Sequence, residues 1–204
     1  MTSSQMTKPG LRAEGFARRD GLEPAFRAAA SRRIAERALA LPELQAGGIV
    51  AGYWPIRSEV DPRPLLEALD ARGVPLALPV VAHPTLLFRR WRPGELLAKS
   101  SFGTFEPSEH APAVTPAILL MPLARFDRAG NRIGYGKGHY DRAIAAIEGA
   151  DDAGAARVRD VRLLAVGLAF AVQEAHTIPV EPHDRPLDLV VTEADTIRPT
   201  RKSA

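Results

Sequence analysis

Apolar residues recur at helical spacing from Leu22 through Phe26, Ala30, Ile34 and Ala38 to Leu41. Arg27, Arg33 and Arg37 fall between them, so the pattern predicts a helix that opens near Pro24, wets its arginine face and closes at Pro42. Before it, residues 1–20 are polar and punctuated by Pro9, Gly10 and Gly15, which predicts a flexible start with a weak helix at most over Leu11–Arg19. Gly48–Trp54 is a short β-forming run ended by Pro55, predicting a buried strand. Asp61-Pro62 opens a second helix through Leu65, Leu66 and Leu69, and Gly73 stops it. Val74–Val81 and Leu86–Trp91 read as strands, and 102–107 as irregular chain. Ala117–Met121 is a clear buried strand ended by Pro122, followed by a long loop rich in Gly and Arg. A helix follows Gly138 with Tyr140, Ala143, Ile144 and Ile147 on one face. Arg162–Phe170 is the last strong strand, 179–186 a proline-punctuated loop, and Leu187–Val191 a short strand. A frayed tail begins at Ile197.

These strands are continuous apolar runs rather than alternating ones, and helices separate them. Strands covered on both faces have that signature. The expected architecture is an α/β fold, a three-layer α/β/α domain around a mainly parallel sheet. It forms a single domain over 1–204, flexible over 1–20 and frayed over 197–204. A length of 204 residues suits one domain, and 46% apolar with 25% charged residues is the balance of a globular chain. The net charge of +3, with no long basic run, does not call for nucleic acid. The chain has no cysteine, so disulfides, thiolate metal sites and a cysteine nucleophile are excluded. It also has no membrane-length apolar run and no signal-peptide core. The expectation is a soluble cytoplasmic protein.

In open α/β sheets, ligands gather beyond the carboxyl ends of the strands. Three loops leave such ends, after Trp54, Met121 and Phe170. The middle one carries Arg132, Ile133, Gly134, Tyr135, Gly136, Lys137, Gly138, His139, Tyr140, Asp141 and Arg142. Glycines at alternate positions let backbone N–H groups turn inward, and the next helix start, Lys137 and Arg132 add positive charge. Such a loop suits a polyphosphate, although it is not a P-loop; the plainer reading is a mobile glycine hairpin with solvated charges. Asp141 is either a helix-start acid or a Mg²⁺ ligand beside phosphates. Asp184, in Pro182-His183-Asp184-Arg185-Pro186, caps a turn or joins that site. Trp54 and Glu59 could clamp a flat heterocycle, but core for Trp54 and surface for Glu59 is the simpler pair of roles. His83, His110 and His176 fit no metal spacing.

Four passages carry a family resemblance: Lys8–Arg19 with the following helix, Tyr53-Trp54-Pro55 through Glu59-Val60-Asp61, Asn131–Arg142, and Val166–Phe170 continuing to Asp184–Asp188. Together the chain resembles the 5-formyltetrahydrofolate cyclo-ligase (5,10-methenyltetrahydrofolate synthetase) family. The resemblance implies a fold like that of ribose-phosphate isomerases and CoA transferases. It implies conversion of 5-formyltetrahydrofolate and ATP to 5,10-methenyltetrahydrofolate, ADP and phosphate, with Mg²⁺ required. Carried across by position, ATP would meet Lys8, Arg12, Arg132, Gly134, Tyr135, Gly136, Lys137, Gly138, His139 and Tyr140. The folate would meet Trp54, Glu59 and the Tyr135–His139 stretch, and Mg²⁺ would meet Asp141 and Asp184. Lys137 and Tyr140 become the catalytic candidates, and the partners are these small molecules, with no nucleic acid or membrane. A monomer is expected. Pro9 and Gly10 interrupt what is a helix in the family, and Arg125 stands where an apolar residue is usual. Two alternatives remain: a phosphosugar isomerase or acyl-CoA-handling enzyme of the same fold, and a non-catalytic nucleotide- or RNA-binding module.

Overall fold

The computed structural model describes residues 7–45, 47–100, 103–152 and 163–199. In chain order its elements are α1 (Lys8–Asp20), α2 (Pro24–Leu39), α3 (Pro42–Gln45), β1 (Val50–Ala51), α4 (Arg63–Ala71), β2 (Leu76–Ala82) and β3 (Thr85–Arg90). Then follow β4 (Ala98–Lys99), β5 (Phe105–Glu106), β6 (Ala113–Val114), β7 (Ile118–Pro122), β8 (Arg125–Phe126), β9 (Arg132–Ile133) and α5 (His139–Asp152). The chain continues with β10 (Leu164–Leu168), a short 3-10 turn (Ala171–Gln173), β11 (Leu189–Val191) and β12 (Thr196–Ile197).

The main sheet has eight strands in the order β12-β11-β10-β7-β1-β2-β3-β6. The run from β11 to β2 is parallel, with Val166 opposite Leu189, Leu164 opposite Ile118, and Val50 opposite both Ile118 and Leu76. Antiparallel strands finish both edges. Consecutive residues of the central strands point into different apolar layers. Val50, Leu78, Leu120, Val166 and Val191 pack with Ile34 and Ala38 of α2 and Leu65 and Leu69 of α4. Their neighbours Ala51, Ala77, Leu119, Met121 and Val190 pack with Ala143 and Ile144 of α5. Both parities are buried, which is why the runs show no alternation. The three-layer expectation is met.

Several elements differ in detail from the pattern. Strand β1 is shorter than Gly48–Trp54, although the Gly52 amide still pairs with the Ala77 carbonyl at 2.9 Å. A Cβ on Gly52 would come 2.8 Å from the methyl groups of Leu66, so the chain passes tight against α4. Phe26 is 39% exposed although it continues the apolar stripe of α2. Phe105–Glu106 is not irregular but a strand paired with Ala98–Lys99. Ile197 is buried in β12 against Val190, so fraying does not begin there; residues 200–204 lie outside the described residues, as do Arg162 of the last predicted strand and residues 1–6.

The largest correction concerns the segment read as flexible. Lys8–Asp20 is a well-formed helix. Pro9 and Gly10 do not interrupt it: Pro9 lies in the first turn, where its missing N–H costs nothing, and Thr7 caps the helix by accepting from the Gly10 amide at 3.4 Å. Its buried face is Leu11, Gly15 and Arg19, one residue per turn. Gly15 has a packing role. A Cβ there would lie 2.3 Å from the Ala124 carbonyl oxygen, so only glycine lets α1 approach the β7–β8 connection this closely.

Candidate active site

α1 docks across the carboxyl ends of the parallel strands, against β8, β9 and the 3-10 turn, around Leu11, Ala124, Ile133, Ala175 and Ile178. Between it and the loops leaving β1 and β9 lies a pocket of about 770 Å³. Lys8, Arg12, Trp54, Glu59, Arg132, Asp184 and the whole run Gly134, Tyr135, Gly136, Lys137, Gly138, His139, Tyr140 and Asp141 line it. Every site residue singled out in the sequence therefore reaches one cavity, drawn from segments up to 176 positions apart.

The glycine loop is held at its root by an element the sequence did not announce. Strands β8 and β9 form a hairpin, and the buried Asp127 carboxylate organises its turn. It accepts from the amides of Ala129 and Asn131 at 3.0 Å, from Asn131 Nδ2 at 2.9 Å, and from the distant Ile178 amide at 3.0 Å. Beyond β9 the loop bends through Gly136 (φ 84°) and Gly138 (φ 64°), and α5 begins at His139. Arg12 Nε donates to the Gly134 carbonyl at 2.7 Å, and its guanidinium lies against Gly136, where a Cβ would come within 3.0 Å. Lys137 projects from the loop and is exposed.

Acids and cations alternate along the pocket wall. Lys8 Nζ lies 2.6 Å from Asp184 Oδ2 and 3.1 Å from Glu181 Oε1. Burial works against the Lys8 charge, but the hydrogen bonds to Asp184 and Glu181 outweigh it and raise its pKa. Asp184 shows the reverse balance: burial opposes its charge, while Lys8 and the Glu181 amide hold its carboxyl below the ordinary value. Arg132 Nη2 donates to Asp141 Oδ1 at 2.8 Å. The same oxygen accepts from the Arg185 amide at 3.2 Å, so the residue after Asp184 touches Asp141 directly. Arg132 also bonds the Arg185 carbonyl, which ties the second acid's loop to the first.

On the opposite wall, Glu59 is buried, not the surface acid of the simpler reading. Burial pushes its carboxyl up to about 6, partly offset by the Ile56 amide and by the Arg19 charge. The Ile56 amide donates to Oε2 at 2.8 Å, whereas Oε1 is buried with no hydrogen-bond partner among the described residues. Trp54 is half-buried, edge-on to Trp91 at 6.1 Å and tilted against Phe105 at 5.8 Å, with Arg63 over its ring at 5.4 Å. The Tyr140 hydroxyl is raised above its ordinary range by burial and by Glu59, so it remains a donor at neutral pH. His139 sits 5.8 Å from His83, and burial with the Arg142 charge lowers its pKa, leaving the ring neutral near pH 7.

Sequence reasoning missed Asp127, Glu181 and Arg19. Arg125 is buried as an apolar residue would be, 3.4 Å from Glu14 on α1. No described helix is long and apolar enough to cross a membrane.

A model of the 5-formyltetrahydrofolate cyclo-ligase family matches residues 4–193. A Haemophilus influenzae protein named 5-formyltetrahydrofolate cyclo-ligase is 31% identical over 79% of this chain and 85% of its own. An Escherichia coli (strain K12) protein of the same name is 31% identical over 86% of this chain and 94% of its own. The solved structure of Aquifex aeolicus 5,10-methenyltetrahydrofolate synthetase superposes with a TM-score of 0.78 at 29% identity, covering 97% of this chain and 95% of that one.

Proposed function

The chain belongs to the 5-formyltetrahydrofolate cyclo-ligase family, and from that premise we propose how its pocket carries out the family's reaction. The enzyme converts 5-formyltetrahydrofolate to 5,10-methenyltetrahydrofolate as ATP becomes ADP and phosphate. The alternative as a phosphosugar isomerase or acyl-CoA enzyme is not favoured, since the relatives and the solved structure all carry the cyclo-ligase or synthetase name.

A formamide oxygen is a very poor leaving group. Transfer of the γ-phosphoryl group to it makes phosphate the leaving group; N10 then attacks the formyl carbon, the new C–N bond closes the five-membered ring, N10 gives up its proton and the C–O bond to phosphate breaks. Such chemistry asks a protein chiefly for alignment and charge neutralisation. The observation that carries the proposal is the convergence of the glycine loop, the cations Lys8, Arg12, Arg132 and Lys137 and the carboxylates Asp141 and Asp184 on the same cavity as the Trp54 ring and a buried, half-satisfied Glu59.

Arg132 and the Gly134–Tyr140 stretch hold the triphosphate, with the exposed Lys137 as the main compensating charge, and Lys8 and Arg12 close the nucleotide side from α1. Trp54 presents a ring face to the pterin. Glu59 Oε1 accepts from its N–H edge, which gives that orphaned oxygen a partner. Tyr140 donates a hydrogen bond at the reacting end.

The donor set fits Mg²⁺. Among the described residues no group of three or more His, Cys, Asp or Glu could hold a metal alone. The neighbouring Asp141 and Asp184, completed by phosphate oxygens and water, match this ion's habit of taking one or two carboxylates. When bound it would supply positive charge that offsets the charge of the phosphates. Lys8 and Arg132 pair with these two acids, so the wall already matches the mixed charge of a divalent cation and a polyphosphate. The absence of cysteine suits the reducing cytoplasm.

The test is product formation. The absorption of 5,10-methenyltetrahydrofolate should rise only when ATP, Mg²⁺ and 5-formyltetrahydrofolate are all present, with one ADP released per product. Formation without ATP, or ADP release indifferent to folate, would overturn the assignment.

A further inference from the structure

Arg19 lies in the last turn of α1 and is 1% exposed, the largest fully buried side chain among the described residues. A buried guanidinium must spend its donors on partners. Only one of these is a backbone carbonyl, Leu123 O at 3.4 Å from Nη1. Nε donates to Ser58 Oγ at 3.0 Å, and Nη2 donates to the Tyr135 hydroxyl oxygen at 3.3 Å. Ser58 in turn donates to Asp20 at the end of the same helix. Nη1 is 4.0 Å from Glu59 Oε1: close enough to attract the charge, too far to occupy its lone pairs. The Phe16 ring lies under the guanidinium at 5.2 Å and against Tyr135 at 5.0 Å. One planar group thus touches the loop after β1, the end of β7 and the glycine loop.

We propose that Arg19 is a positioning residue for the formyl-folate: it sets the Tyr135 hydroxyl and keeps Glu59 an ionised acceptor whose buried, unpartnered Oε1 is left for the substrate. The inference rests on the role given to Glu59 above. Arg19 does not touch the pocket, so it acts through these two side chains. The other charged or titratable groups that face Glu59 are Arg57 and Tyr53 from its own loop, Tyr135 from the glycine loop and Tyr140 from α5. Of the two cations, only Arg19 is buried, so its charge is the less screened by solvent. Removing it favours the protonated carboxyl, which turns an acceptor into a donor facing an N–H edge.

The test measures equilibrium binding of 5-formyltetrahydrofolate, and separately of ATP with Mg²⁺, from below the Glu59 midpoint to well above it. Arg19→Met should weaken folate binding about tenfold at neutral pH, the scale of one lost charge-assisted contact, with less than about a threefold loss for ATP. It should also move the pH midpoint of folate affinity upward. Arg19→Lys keeps the charge without the fork, and should restore the midpoint while leaving affinity reduced. A folate affinity and midpoint unchanged in Arg19→Met overturn the proposal, and so does an equal, pH-independent loss for both ligands, the mark of a merely structural arginine. Should Arg19→Met fail to fold, Arg19→Lys and Tyr135→Phe carry the test: both must lower folate affinity, and Arg19→Lys must leave the midpoint in place. Glu59→Gln separates the two levels. If it binds folate normally, the role of Glu59 falls and the inference with it; if it weakens binding while Arg19→Met does not, the inference alone falls.

Discussion

At the residue scale, Glu59 shows a carboxylate kept at a cost to the fold. Its pKa rises from 4.5 to about 6, so the folded state holds the proton more tightly than the unfolded chain. Stability is therefore fully present below the unfolded value and declines as pH rises through about 6, by about 2 kcal/mol in all. Glu59→Gln should be more stable than the parent at neutral pH by up to that amount, with the advantage gone in acid, as urea unfolding at several pH values would report. Lys137 and Asp141 make the opposite point, because neither holds the fold together. Lys137 is exposed and Asp141 makes bonds that an asparagine oxygen can also accept. Lys137→Ala and Asp141→Asn should each lower kcat about 100-fold while leaving the unfolding midpoint nearly unchanged. Near-parental turnover at saturating ATP in either variant would remove that residue from the mechanism. Residues of this kind were visible in the sequence because charge beside glycine is rare in core-forming chain. Arg19 and Asp127 were not, because a lone arginine or aspartate has no pattern until its partners from distant segments are known.

At the element scale, the strands were legible and the first helix was not. Ala117–Met121 and the Val74–Val81 run are apolar on both parities, a signal that survives without any partner. The buried face of α1 is Leu11, Gly15 and Arg19, so two of its three core positions look like a breaker and a solvated charge. Only the surface it meets makes those choices sensible: Gly15 fits under the Ala124 carbonyl and Arg19 finds polar partners. Gly15→Ala tests this directly. It should cost about 1–3 kcal/mol by overpacking. It should also raise KM for ATP, since Lys8 and Arg12 move with the helix; an alanine variant with parental stability and ATP KM would show that α1 can shift without consequence. The β8–β9 hairpin was hidden for another reason. Its strands are two residues each, and Asp127, not hydrophobic patterning, defines the turn.

At the scale of the whole molecule, the doubly covered sheet and the cavity beyond its strand ends follow from the order of elements. The identity of the pocket's walls required long-range contacts that no local pattern encodes. Arg12 reaches Gly134 across 122 positions, Arg19 reaches Tyr135 across 116, and Lys8 reaches Asp184 across 176. Helix α1 can therefore dock only after nearly all the chain that follows it has been made and its sheet assembled. Closing such long loops is slow compared with forming local contacts. On dilution from denaturant, burial of Trp91 in the sheet layer should precede recovery of folate binding, and the lag should lengthen in Gly15→Ala. Simultaneous recovery would show that docking is not the final step. A chain whose sheet has formed but whose α1 has not yet docked would thus have no nucleotide grip, and competence for catalysis would arrive as the last event of its biogenesis.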